Sequence, residues 1–115
     1  MSHAELPRTA KERGQVAPVK LAHIVRKTSR FSAMRDWYQF VLQAEVVLQT
    51  DNFAFLTYDE EHHRVAILAQ SGLVDPGENT AGTDHVSFTY KDLADLLFTY
   101  KRLAAQAIKP FWCIN

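Results

Sequence analysis

The feature that most constrains this chain is an internal repeat. Placing His23 on His85 aligns the two halves at an offset of 85 − 23 = 62 residues. An apolar residue follows each histidine, Ile24 in the first copy and Val86 in the second. Apolar residues then recur at matching distances: Phe31 with Leu93, Met34 with Leu96, Tyr38 with Tyr100 and Val41 with Leu103. So long a period is not that of a solenoid; it fits one supersecondary unit used twice. Any two strand–helix units of similar length would align on their helix faces alone. The histidine at the same place on each leading strand makes duplication the better reading.

The first copy reads strand, helix, then three strands. Over residues 19–25 the alternation puts Val19, Leu21, His23 and Val25 on one face of a strand. Ser29 is the predicted helix N-cap, and Phe31, Met34, Trp37, Tyr38, Val41 and Leu42 follow at helical spacing. Short strands are predicted at 46–48, 53–57 and 63–69, with Asp59-Glu60-Glu61 as a solvated turn before the last. Residues 71–82 hold three of the four glycines, with Asp75, Pro76 and Asn79, and read as a connecting loop. The second copy offers a strand at 84–90, a helix capped by Asp92 and a last strand candidate at 111–114 after Pro110. The second helix has Leu93, Leu96, Leu97, Tyr100, Leu103 and Ala107 as its apolar face.

This gives a polar, flexible arm at 1–18 and one domain at 19–115. The domain comprises module one at 19–70, a linker at 71–82 and an incomplete module two at 83–115. The first copy reaches Ala69, which is 69 − 23 = 46 residues past its histidine. An equal second copy would end at 85 + 46 = 131, beyond Asn115. The expected class is therefore α+β. Paired βαβββ modules form a cupped half-barrel sheet with helices outside, the second module truncated after its second strand. The edge so exposed points to a fragment, or to a partner chain that covers it; a homodimer or higher homo-oligomer is expected.

Bulk properties narrow the class. Apolar residues make up 47% and the formal net charge is +0, which suits a globular domain and removes the attraction a nucleic-acid binder needs. No apolar run is long enough to span a membrane, and no charged-then-apolar leader opens the chain. The single cysteine, Cys113, has no intrachain partner, so a cytoplasmic protein is expected. No glycine-rich phosphate loop, cysteine-pair zinc motif or nucleophile elbow is present.

The histidines carry the candidate chemistry. A lone histidine on an apolar strand is more often a core residue than a ligand. Two at equivalent places in two halves would face each other if the halves pack about a pseudo-two-fold axis, and neutral imidazole is the commonest nitrogen ligand for divalent metals. His85 also shares its face with Ser87 and Thr89, as a cavity wall would. His63 is in phase with Val65 and Ile67 and is assigned to the buried side, with His62 facing out. Either could exchange protons near neutral pH, although a polar strand start is the slightly better explanation from sequence alone. Phe53, Phe55, Phe111 and Trp112 are candidates to line an aromatic-accepting pocket, against a default of plain core packing.

These segments resemble a known family. Leu21-Ala22-His23-Ile24-Val25, followed by a helix with Arg35-Asp36-Trp37-Tyr38, is similar to the opening of vicinal oxygen chelate proteins: glyoxalase I, fosfomycin and bleomycin resistance proteins, and type I extradiol dioxygenases. Residues 82–88 resemble the start of the second module. Asp84-His85 and Glu61-His62-His63-Arg64 most resemble the small single-domain extradiol dioxygenases. The resemblance implies Fe(II), alternatively Mn(II), held by His23, His85 and a glutamate expected beyond Asn115. It implies His63 as the proton-handling residue, with His62 the weaker choice. It further implies an aromatic diol and dioxygen as substrates, and ring cleavage as the reaction. The alternatives are a glyoxalase-type isomerase, a resistance-type binding protein, or an inactive fragment that binds ligand. A glyoxalase would draw an acidic ligand from the first module's last strand, and residues 65–69 contain none.

Overall fold

The structure, a computed structural model, describes residues 8–111 and 113. The chain divides into two compact units, Met1–Ser71 and Gly72–Asn115. The first unit is built as strand β1 (Ile24–Thr28), helix α1 (Phe31–Leu42), and strands β2 (Glu45–Gln49), β3 (Phe53–Thr57) and β4 (Val65–Ala69). This is the predicted βαβββ order. The sheet order is β1-β4-β3-β2, with β1 parallel to β4 and the other pairs antiparallel.

Strand register separates two faces. Ile24 pairs with Val65, Val65 with Leu56, and Ile67 with Ala54, so these side chains share one face. Leu56, Val65 and Ile67 are fully buried there, and Phe31, Met34, Tyr38 and Leu42 of α1 pack against them. Each such aliphatic contributes about 1.5–3 kcal/mol relative to an exposed position. The opposite face carries Val25, Phe53, Phe55, Ala66 and Leu68, by the pairs Val25↔Ala66, Phe55↔Ala66 and Phe53↔Leu68. A bulge between Val46 and Leu48 on β2 then brings Leu48 opposite Phe55.

Several expectations are corrected. β1 begins at Ile24, not Val19, because its first ladder partner is Val65 and the chain before Val65 is turning out of the β3–β4 hairpin. Val19 and Leu21 are accordingly exposed. The cap of α1 is not Ser29: Arg30 holds the N-cap position, and the Thr28 hydroxyl accepts from the Arg30 N–H at 2.9 Å. α1 ends at Gln43 in the left-handed region (φ 49°), whose N–H donates to the Gln39 and Phe40 carbonyls. Part of the predicted arm is ordered as a turn, with Gln15 N–H donating to the Ala10 carbonyl at 2.8 Å and Glu12 N–H to the Thr9 hydroxyl at 3.2 Å.

The second unit contains helix α2 (Leu93–Ala104). Asp92 caps it as predicted, its carboxylate accepting from the Asp95 N–H at 2.9 Å, and Lys101 and Arg102 complement the dipole in the last turn. The predicted strand at 84–90 forms no ladder, since the described residues of that unit supply no second strand. Its alternation survives: Val86, Phe88 and Tyr90 are half-buried, while His85, Ser87 and Thr89 are exposed. Ala107 falls beyond α2 at φ 60°, so it does not extend the helix face. In the predicted last strand, Phe111 is fully exposed in a bend, and Trp112 and Ile114 lie outside the described residues. Among the described residues no helix is long and apolar enough to cross a membrane.

Candidate functional site

The sheet face opposite α1 gathers the histidines of the first unit. His23 immediately precedes β1, and alternation with Ile24 puts it on the side of Val25. His63 does not belong to β4 and does not join the buried side with Val65 and Ile67, as its phase implied. Two residues before the strand the chain is still in the hairpin, so its parity carries no information. The His63 ring stacks on Phe55 with centroids 4.3 Å apart and planes at 13°, and lies 4.2 Å from the His23 ring. Phe53 adjoins Phe55 at 4.9 Å, and His62 meets Phe55 edge-on at 5.7 Å. The face is thus an aromatic floor edged by three imidazoles.

His62 and His63 share one proton. Their Nδ1 atoms are 2.9 Å apart, so one Nδ1 donates and the other accepts. His63 thereby keeps Nε2 for another partner. Its pKa is held below the ordinary 6.5, first by burial against its neighbours and then by proximity to His23 and His62, with Glu61 opposing. A ring held neutral can accept a proton and return it once charged.

Two residues read earlier as plain turn and strand start prove central. Arg64 donates through Nη1 to the carbonyls of Leu21 and Ala22 at 2.8 and 2.9 Å. Its Nε and Nη2 bind the Asp59 carboxylate at 3.0 and 2.9 Å. This contact holds the Asp59 carboxyl below its usual range. The hairpin is closed by the Thr57 hydroxyl, which donates to the Glu61 carbonyl at 2.6 Å, while Glu61 N–H donates to Asp59 at 3.2 Å. The sequence does hold a signal: an arginine directly after His63, with a carboxylate one hairpin turn back.

In the second unit, His85 receives its own orienting partner. Its Nδ1 lies 2.7 Å from Asp84 Oδ2, which leaves Nε2 free to bind. Metal-ligating histidines commonly have one ring nitrogen held by a carboxylate in this way, so the donor chemistry fits a borderline divalent metal. Among the described residues no three His, Cys, Asp or Glu side chains form a metal-holding group. The open-face positions of β4, Ala66 and Leu68, offer no acid. Of the four predicted pocket aromatics, Phe53 and Phe55 stand beside the histidines. Phe111 is exposed, and Trp112 lies outside the described residues. A separate pocket of about 320 Å³ opens on the helix side among Thr28, Arg30, Trp37 and Tyr38, with no histidine or carboxylate in its wall.

The chain is similar to known proteins. The chain is 46% identical over 95 residues to biphenyl-2,3-diol 1,2-dioxygenase 2 of Rhodococcus globerulus, covering 82% of this chain and 50% of that protein. It is 42% identical over 93 residues to biphenyl-2,3-diol 1,2-dioxygenase 3 of the same organism, covering 79% and 49%. The chain spans about half the length of the curated relatives it matches. The crystal structure of lactoylglutathione lyase from Agrobacterium tumefaciens matches with a TM-score of 0.58 at 17% identity, over 78% of this chain and 72% of that one, and shares the fold. The family model of the glyoxalase/bleomycin resistance protein/dioxygenase superfamily matches residues 20–110. With a βαβββ unit in place and a histidine leading each half, the chain belongs to that superfamily.

Proposed function

We propose that this chain is part of a metal-dependent extradiol dioxygenase that cleaves a catechol-type aromatic diol. The observation that carries the reading is the His63 ring lying between His23 and Phe55 on an open sheet face. His23 and His85 are the proposed metal ligands, with Fe(II) favoured over Mn(II) and a glutamate beyond Asn115 as third ligand. Support comes from the repeat, from the carboxylate behind His85 and from the names of the two relatives. When bound, Fe(II) supplies open coordination positions for a chelating diol and for dioxygen.

The chain's own residues have separable tasks. Phe53 and Phe55 give a planar aromatic substrate an apolar floor, which fixes its orientation and excludes water from one side. His63, neutral by virtue of its burial, accepts or returns a proton at Nε2, and His62 stabilises the required tautomer through Nδ1. An isomerase of the same fold would need an acidic side chain on the open face of β4, where Ala66 and Leu68 stand. A cytoplasmic homo-oligomer belongs to the same reading: Cys113 is a free thiol, and edges β1 and β2 of the sheet carry no strand partner among the described residues.

The complete gene product, loaded anaerobically with Fe(II) and then given oxygen, is expected to turn catechols into yellow ring-opened products with matching oxygen uptake. His63→Ala should lower kcat by roughly 10²–10⁴-fold while leaving metal content intact. Loss of colour and oxygen uptake with every diol, in protein that retains metal, would refute the proposal.

A further inference from the structure

Arg64 makes four kinds of contact, and two of them reach the peptides on either side of His23. Its backbone N–H donates to the Leu56 carbonyl at 2.7 Å, which ties it to β3. Its carbonyl accepts from the Ile24 N–H at 3.0 Å. Its guanidinium holds the Ala22 carbonyl at 2.9 Å and the Leu21 carbonyl at 2.8 Å. The Asp59 carboxylate fixes the guanidinium from the other side.

The Ala22 carbonyl belongs to the peptide before His23, and the Ile24 N–H to the peptide after it. One residue therefore anchors the peptide planes on both sides of His23. With both planes fixed, φ and ψ of His23 are fixed, and so is the direction of its Cα–Cβ bond. That anchoring matters because His23 lies outside the ladder: β1 starts one residue later, and Leu21 is exposed. The Arg64 side chain is only 12% exposed, while its contact with Asp59, 27% exposed, lies at the surface. A planar guanidinium reaches two carbonyls and a carboxylate at once, which an ammonium cannot do in the same geometry.

We infer that Arg64, oriented by Asp59, is a positioning residue that fixes the backbone of His23 and so presents its imidazole beside His63. The consequence for metal binding rests on the reading of His23 as a ligand; the positioning itself does not. The test uses Arg64→Gln, Arg64→Lys, Asp59→Asn and the control His23→Ala, in the complete gene product. Two readouts are taken: the nuclear Overhauser contact between the His23 and His63 rings in metal-free protein, and anaerobic Co(II) affinity by calorimetry. Both Arg64 variants should lose the ring contact and bind Co(II) on the order of tenfold more weakly, as for groups that orient a ligand. Asp59→Asn should move both readouts in the same direction by less. Lysine should not rescue.

An intact ring contact in Arg64→Gln and Asp59→Asn, with wild-type Co(II) affinity, overturns the inference if His23→Ala weakens Co(II) binding. If His23→Ala leaves Co(II) binding unchanged, the ligand reading fails instead, and the ring contact alone then decides the positioning. Should Arg64→Gln not fold, Asp59→Asn carries the same two readouts.

Discussion

Two substitutions on neighbouring strands separate the core from the site. Ile67 is fully buried on the helix face of β4, and Ile67→Val removes one methylene from a packed position. That costs about 1 kcal/mol. Phe55 lies on the opposite face of β3, where its ring meets those of Phe53, His62 and His63. Phe55→Leu keeps an apolar side chain but removes these ring–ring pairs, of which the stacked pair with His63 alone is worth about 1 kcal/mol beyond area burial. With a urea m-value of about 1 kcal/mol/M, each variant should lower the midpoint by about 1 M. The two are matched in stability and differ in location. Histidine Cε1–H signals then discriminate between them. In Phe55→Leu the His63 signal should move, because the ring stacked on it at 4.3 Å is gone. In Ile67→Val it should stay near its wild-type position. Equal movement of the His63 signal in both variants would refute the division of this sheet into a core face and a site face.

Other consequences are separately measurable. Gln43→Gly should stabilise the first unit by about 0.5–1 kcal/mol in urea unfolding, since Gln43 sits at φ 49°, where a Cβ is unfavourable. Thr28→Val should destabilise by about 1 kcal/mol, because Thr28 is 6% exposed and its hydroxyl is the acceptor for the Arg30 N–H ahead of α1. The Arg64–Asp59 contact predicts a pH effect of definite sign. Asp59 titrates below 3.8 in the folded protein, so its contribution is complete above 3.8 and disappears as pH falls through the folded value. Acid unfolding of Asp59→Asn should lack that component, and an unchanged acid profile would argue against the contact.

The first unit was largely legible because its periodicities are clean. Phe53 to Thr57 alternates along a strand whose Ala54 and Leu56 are buried, and Phe31, Met34, Tyr38 and Leu42 fall on one helix stripe. Parity failed where the chain left the ladder. His63 looks like a β4 residue in phase with Val65, yet the hairpin turns it to the other face, and no pattern of apolar residues encodes that turn. The cap failed for a similar reason. Arg30 and not Ser29 holds the N-cap position, and the hydroxyl that meets the Arg30 N–H is that of Thr28, two residues back. The second unit was legible in its helix and its burial alternation. The strand at 84–90 was not recoverable as a strand, because a ladder requires partners that local sequence cannot supply. Asp59 reads as a surface charge because its partner is Arg64, whose own target is the Leu21–Ala22 backbone some forty residues earlier.

That last separation shows how the fold makes the site. β1 and β4 are parallel, with Ile24 opposite Val65, so both strands are entered from the same end of the sheet. His23 and the segment from His62 to Arg64 are each the lead-in to one of these strands. Parallel pairing therefore brings them together, although they are distant in sequence. Had the five-residue strands paired antiparallel, the lead-ins would lie at opposite ends, roughly 17 Å apart at about 3.3 Å per residue. Register is equally demanding. A slip of one residue would turn Val25 toward α1 and carry His23 to the helix face, away from His63 and Phe55. The bonds from Ile24 N–H to the Arg64 carbonyl, and from the Arg64 guanidinium to Ala22, oppose that slip at the residues where it would do most damage. One arginine thus sets both the register of β1 against β4 and the orientation of His23, which couples a folding choice to the geometry of the site.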